Sequence, residues 1–179
     1  MQLSDFINQA LKFIERGTVD RKSKFRLPIL ASYNENTINQ RIVIARKFDG
    51  NENSLIIFTD RDSQKFNELQ TNESCSLLFW DAGKKMQVYI QGFAEIMDDD
   101  SRVFFWKNLS DSQKKDYQIE PPPKTNIQTH NDYQFKDTSD RFCCIKIFFK
   151  SMDILVLSNN GHQRAIYDFK SQKQNWVTP

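Results

Sequence analysis

Residues 41–65 read RIVIARKFDGNENSLIIFTDRDSQK, and this stretch decides the fold. Two short runs rich in β-branched and apolar residues, Arg41–Arg46 and Ser54–Thr59, flank the turn signal Asp49-Gly50-Asn51. After the polar segment Asp60-Arg61-Asp62 the period changes. From Ser63 to Thr71, Phe66 and Leu69 fall on one helical face. The unit is strand, turn, strand, short helix.

Further short apolar runs lie on either side of it, at Phe25–Ser32, Ser76–Trp80 and Gln87–Ile96. Turn residues at Asn34–Asn39 and Asp81-Ala82-Gly83 separate them. Strand character returns in Phe142–Phe149, Asp153–Leu157 and Arg164–Phe169. The spacing of the first five strands predicts a mainly β fold, a closed or nearly closed antiparallel barrel rather than βαβ units. Helices flank it. Leu3, Phe6, Ile7, Ala10, Leu11 and Ile14 recur at helical spacing, with Ser4 as the expected cap and Gly17 as the expected stop. Asp99–Tyr117 carries Val103, Trp106 and Leu109 at helical intervals, and Ser110-Asp111 starts a second turn or helix inside it. Gln118–Asp140, with Pro121-Pro122-Pro123, shows no periodicity and reads as a long loop of the functional or mobile kind.

Composition narrows the function. A chain of 179 residues with 15 Phe, 5 Tyr and 3 Trp has aromatic material for one packed core, so residues 1–179 are expected to form a single domain. Only five glycines are present, none in GxGxxG or GxxxxGK spacing, which excludes the glycine-rich phosphate cradles. Any phosphorylated ligand must be held by side chains. The net charge of +2, with basic and acidic residues interleaved, argues against a nucleic acid or a membrane surface as partner. Three cysteines, two of them adjacent, make a disulfide framework improbable and fit a reducing cytoplasm. His130 and His162 alone cannot build a zinc site, so no metal is expected. No signal peptide or bilayer-length apolar run is read.

Three groups of residues could carry chemistry. At the expected helix start, free backbone N–H groups favour an anion, and Ser63 and Lys65 add a hydroxyl and a positive charge. Arg41 could supply a bidentate fork to the same phosphate. Arg41 and Arg46 differ by five, so a regular strand would point them to opposite faces. Next, Gln87, Tyr89 and Gln91 share one face of a strand and could hydrogen-bond a heterocycle. Finally, Gly161-His162-Gln163-Arg164 lies near the end of the chain. No nucleophile with a nearby base is found, Asp98-Asp99-Asp100 reads as a helix N-terminal charge cluster, and Trp80, Phe104, Phe105 and Trp106 read as core.

In order along the chain, these pieces resemble the pyridoxamine 5′-phosphate oxidase-like, FMN-binding split-barrel family. The similar residues are Arg41–Arg46, Phe58-Thr59, Ser63-Gln64-Lys65, Gln87-Val88 through Gly92, His162-Gln163-Arg164 and a terminal Trp176…Pro179. The helix with Trp106, the Ser110-Asp111 start and the triple-proline loop look most like an oxidase-related, FMN-binding subgroup. The resemblance implies a split, Greek-key-like β-barrel with an N-terminal helix and non-covalently bound FMN. Arg41, Ser63 and Lys65 would hold the FMN phosphate together with Gln64. Ile42, Val43 and Ile44 would lie along the cofactor, with Arg46 reaching the ring and the substrate. Phe58 and Thr59 would line the isoalloxazine. Arg164 would touch the flavin, and Gln87 would reach it from the second subunit of a homodimer. FMN is long enough for Arg41 and Arg46 to meet different parts of it.

The sequence departs from true pyridoxamine phosphate oxidases where they clamp the substrate phosphate. Their Tyr-x-x-x-Arg-x-x-x-Ser pattern aligns with Phe104, Asn108 and Ser112, and their C-terminal Arg-x-His becomes Asn160-Gly161-His162. A tryptophan expected near Ile154–Leu155 is absent. Ser112, His162 and Arg46 remain as candidate substrate contacts. Losing two arginine partners removes charge-assisted bonds of about 1.5–3 kcal/mol each. The expectation is an FMN-dependent oxidoreductase acting on a small molecule, with an altered substrate site. A non-catalytic flavin binder or sensor, and a haem-handling protein using His130 or His162, are the alternatives.

Overall fold

The computed structural model describes residues 2–137 and 139–179. Helix α1, Leu3–Val19, buries Phe6, Ile7, Ala10 and Ile14. It does not stop at Gly17. A Cβ on Gly17 would sit 2.6 Å from the carbonyl oxygen of Phe25, so glycine stands there because the returning chain crosses the helix at that point. Nor does Ser4 cap the helix: Gln2 holds the N-cap position and its side chain makes no capping bond. A 3-10 turn, Lys24–Arg26, replaces the start of the expected strand Phe25–Ser32, and Phe25 anchors the turn in the core.

The strands are β1 Ile29–Asn34, β2 Thr37–Ile42, β3 Lys47–Asp49, β4 Ser54–Asp60, β5 Ser74–Asp81 and β6 Met86–Ile96. Helix α2, Gln64–Thr71, separates β4 from β5. Helices α3 (Asp99–Lys107) and α4 (Asp111–Lys115) divide the expected insert. Asp98 caps α3 through Ser101, and Ser110 caps α4 in a capping box with Gln113, as the Asp cluster and the Ser-Asp start predict. In the long loop, β7 (Ile119–Glu120) and β8 (Gln134–Phe135) pair as a small ribbon. Then come β9 Phe142–Val156, β10 Gln163–Asp168 and β11 Lys173–Val177. The last of these, made of polar residues around Trp176, has no apolar alternation to announce it.

All pairings are antiparallel. One sheet runs β11-β10-β9-β6-β5-β1-β2, with β4 also on β9 and β3 on β4. The 15-residue β9 makes this possible. Its first half pairs with β4 and its second half with β10, while β6 runs along the other side. The barrel is thereby split. β9 was expected as two strands because its alternation breaks at Lys150. Residues Cys143, Ile145, Ile147 and Phe149 face the core before the break, and Met152 and Ile154 after it. A bulge opposite Gln91/Gly92 leaves Lys150 without a counterpart on β6, its carbonyl accepting from Phe169 N–H on the other side, and flips the parity.

The main core lies between the sheet and α1, with Leu30, Leu55, Ile57, Leu77, Ile90, Ile145 and Ile147 fully buried. Each such side chain contributes about 1.5–3 kcal/mol. A second cluster forms on the other face of β4 and β9. There Phe142, Cys144 and Ile56 meet Phe58, Phe105, Trp106, Leu109 and Tyr117. Phe105 and Trp106 are partly buried against this second cluster, in line with the core reading. Trp80 and Phe104 are not, at 46% and 62% exposed.

Candidate functional site

Arg41–Arg46 is not one strand. Arg41 and Ile42 end β2; the chain then leaves the ladder, with Val43 N–H on the Pro28 carbonyl (3.0 Å), Ala45 N–H on Arg26 (2.9 Å) and Arg46 N–H on Ile56 (2.9 Å). Arg41 and Arg46 therefore do not share one regular strand that would point them to opposite faces. Val43 is buried, Ile44 half-buried and Ile42 exposed.

The start of α2 gathers the first group. Thr59, at the core face of β4, places its hydroxyl 2.8 Å from that of Ser63 and accepts from Lys65 Nζ at 2.9 Å. Ser63 is the N-cap residue, but its side chain does not cap the helix. The Phe66 and Asn67 N–H groups bond to the Ser63 carbonyl at 3.1 and 3.3 Å, which leaves those of Gln64 and Lys65 at the helix start for water or an anion. Burial, and then the Arg41 charge, lower the Lys65 pKa. Arg41, on the β2 face that pairs with buried Leu30, reaches the same region. Its Nη2 donates to Glu68 Oε2 at 2.7 Å and its Nη1 to Ser32 Oγ. Gln64 accepts from Lys124 of the long loop. Two hydroxyls, an ammonium and a guanidinium gathered near a helix start are donors that suit an anion such as a phosphate.

Arg46 and Phe58 form a second group. The Arg46 guanidinium lies 5.1 Å from the centre of the Phe58 ring and donates to the Tyr117 hydroxyl at 3.1 Å, while its Nε is buried without a hydrogen-bond partner. Burial raises the Tyr117 pKa against the opposing pull of Arg46. Phe58 packs on Phe105 and Phe142 at 5.2 and 5.1 Å between ring centroids.

Gln87 and Arg164 lie elsewhere. The register aligns Trp80, Gln87, Leu155, Arg164 and Val177 in one row across β5, β6, β9, β10 and β11. This row is on the face opposite to Arg41, because Leu30 and Leu77, which share the Arg41 face, are buried in the core. Arg164 is held by Asp153, with Nε to Oδ1 at 3.0 Å and Nη2 to Oδ2 at 2.7 Å. The candidate substrate contacts do not converge. Ser112 is exposed on α4, Asn108 closes α3 by donating to the Phe104 carbonyl at 2.7 Å, and exposed His162 accepts from Ser158 N–H at 3.1 Å. His130 is exposed in the long loop. Among the described residues no three His, Cys, Asp or Glu side chains group to hold a metal ion. Among the same residues no helix is long and apolar enough to cross a membrane.

Sequence reasoning missed Ser32, Asn39, Glu68, Tyr117 and Asp153. A signal existed for one of them. Asn39 and Arg41 are two apart on one strand, which puts both on one face. Nothing local marked Glu68, whose partners come from 27 to 36 residues away.

The architecture is a split β-barrel with a phosphate-type donor set at the start of α2. The chain belongs to the pyridoxamine 5′-phosphate oxidase family, whose model matches residues 18–128. Solved structures agree in fold. A pyridoxamine 5′-phosphate oxidase-related, FMN binding protein from Nostoc punctiforme is 19% identical over the whole of both chains, with a TM-score of 0.79. PhzG from Burkholderia lata, solved with tetrahydrophenazine-1-carboxylic acid, is 16% identical over 99% of this chain and 90% of its own, with a TM-score of 0.73. A FAD-binding protein from Mesorhizobium loti is 14% identical over 83% and 95%, with a TM-score of 0.55. Comparison with curated protein sequences gives no match.

Proposed function

We propose that this protein binds FMN and is an oxidoreductase acting on a small molecule other than pyridoxamine 5′-phosphate. The observation that carries the reading is the Thr59–Ser63–Lys65 cluster at the start of α2 with Arg41 beside it. These residues would hold the phosphate, with Gln64 at the rim. Ile42, Val43, Ile44, Arg46 and Phe58 would lie along the rest of the cofactor, and Thr59, expected beside the isoalloxazine, joins the phosphate group instead. Gln87 and Arg164 would meet it from the second copy of a homodimer. Bound FMN supplies the redox chemistry, and the chain binds and orients it. The family membership and the FMN- and FAD-binding relatives support a flavin. Exposed Phe104, with Asn108 turned onto its own helix, leaves no arginine at the place of the family's substrate-phosphate clamp, which favours a different substrate.

The test is a flavin titration. The purified protein should show flavin absorption bands and quench added FMN, and an Arg41→Ala, Lys65→Ala variant should lose that binding. Wild-type affinity in the double variant overturns the site, and a Soret band without flavin overturns the cofactor. Hydrogen peroxide release with pyridoxamine 5′-phosphate and oxidation of NAD(P)H then separate the reactions. Rapid turnover of pyridoxamine 5′-phosphate would refute the altered substrate site, and silence in both assays would favour a non-catalytic flavin binder.

A further inference from the structure

Glu68 is a charged residue in the core that no candidate site includes. It lies on α2, one turn beyond Gln64, and only 3% of it is exposed. Both carboxylate oxygens are engaged. Oε1 accepts from Asn39 Nδ2 at 2.7 Å, and Oε2 accepts from Arg41 Nη2 at 2.7 Å and from the Ser32 hydroxyl. The Ser32 oxygen in turn accepts from Arg41 Nη1. Both terminal nitrogens of the guanidinium are therefore tied from behind by groups on β1 and α2. Burial alone would push the Glu68 carboxyl up, but the bonds from Ser32 and Arg41 and the Arg41 charge bring it below its ordinary value. It stays ionised.

We propose that Glu68, acting with Ser32, is the positioning residue of the phosphate site, fixing the Arg41 guanidinium so that its free donors face the phosphate group of the flavin. The proposal rests on the FMN reading above. Its physical basis is preorganisation: a long arginine side chain held before the ligand arrives loses less rotamer freedom on binding. The sign of the effect distinguishes this role from simple charge balance. Glu68 is an anion beside an anion site. If it acted only through its charge, removing that charge would tighten FMN. If it positions Arg41, removing the charge loosens the arginine and weakens FMN.

The experiment titrates the purified protein with FMN and with riboflavin, which lacks the phosphate, by flavin fluorescence. Glu68→Gln, which keeps the shape of the side chain, should weaken FMN about tenfold and leave riboflavin within about twofold, the size expected for one disturbed charge-assisted bond. Ser32→Ala should weaken FMN selectively by about threefold, and it carries the test alone should Glu68→Gln not fold. Unchanged or tighter FMN binding overturns the proposal, as does equal weakening of FMN and riboflavin, the mark of a structural role. Arg41→Ala separates the two levels. If it leaves FMN affinity intact, the phosphate-site reading itself fails. If it weakens FMN while Glu68→Gln and Ser32→Ala do not, only the positioning role is lost.

Discussion

Gly92→Ala tests the bulge that sets the parity of β9. A Cβ at this position would lie 2.3 Å from the Phe148 carbonyl oxygen and 3.3 Å from its carbon, both backbone atoms of the paired strand. No rotamer change relieves such a contact, so the strands must part by roughly 1 Å at a spacing normally fixed near 4.8 Å. Overpacking of this kind costs about 1–3 kcal/mol, and one weakened ladder hydrogen bond adds about 1 kcal/mol. For a chain of this length, 1 kcal/mol moves Tm by about 2–4 °C, so a drop of roughly 4–16 °C is expected. The assay is thermal unfolding followed by far-UV circular dichroism. Gly50→Ala is the control. Its Cβ would meet only the Phe48 ring, at an ordinary 3.6 Å, so it should be neutral or stabilise by up to about 1 kcal/mol. Equal Tm values for Gly92→Ala and the wild type would refute the close backbone approach, and with it the account of β9 as one bulged strand.

Phe142→Ala should cost about 3–5 kcal/mol in urea unfolding, because the ring is fully buried and contacts Phe58, Trp106 and Tyr117 at once. Burial pushes the Cys75 and Cys144 thiols up to about 12 and raises Cys143 as well, so a thiol reagent at pH 8 should label none of them in the folded protein and all three in urea. Lys65 releases its proton below the ordinary lysine range, first through burial and next through the Arg41 charge. Between that lowered value and about 10.4 the unfolded chain binds more protons than the folded one, so this residue makes stability rise with pH across that window. FMN affinity should fall over the same window as the ammonium is lost, while riboflavin affinity stays flat.

The strand Ser54–Asp60, the turn before it and the short helix after it were legible because alternation, turn residues and helical spacing are local signals. So were the helix starts at Asp98 and Ser110, since a start signal of one to four residues is also local. Other features were hidden for equally physical reasons. Gly17 looked like a helix stop because a glycine that ends a helix and one that admits a crossing chain are the same residue. Arg41–Arg46 looked like one strand because buried Val43 and Ala45 keep the alternation after the chain has left the ladder for Pro28 and Arg26. In the candidate site, the Ser63 hydroxyl and the Lys65 and Arg41 cations were readable from the sequence, while the Thr59 hydroxyl was expected beside the isoalloxazine and not in this group. Their supports Glu68 and Ser32 were not readable, because long-range pairing alone brings them together with Arg41.

The layout of the strands bears on how many copies of the chain one cofactor must touch. Arg41 lies on β2 and Gln87 on β6, separated by three interstrand spacings, roughly 14 Å of sheet. Alternation also places them on opposite faces, since Arg41 shares its face with buried Leu30 and Leu77 while Gln87 pairs with exposed Trp80. The bulge at Lys150 extends the row containing Gln87. By flipping parity it turns Asp153 and Leu155 outward, and Asp153 then holds Arg164 in that row. Without the extra residue, β9 would present Met152 and Ile154 there and Arg164 would lose its partner. A ligand seated at Arg41 therefore does not reach Gln87 and Arg164 of the same copy through the sheet. If all of them serve one FMN, the outward row must belong to a second copy of the chain, and the bulge is the feature of the fold that prepares that row.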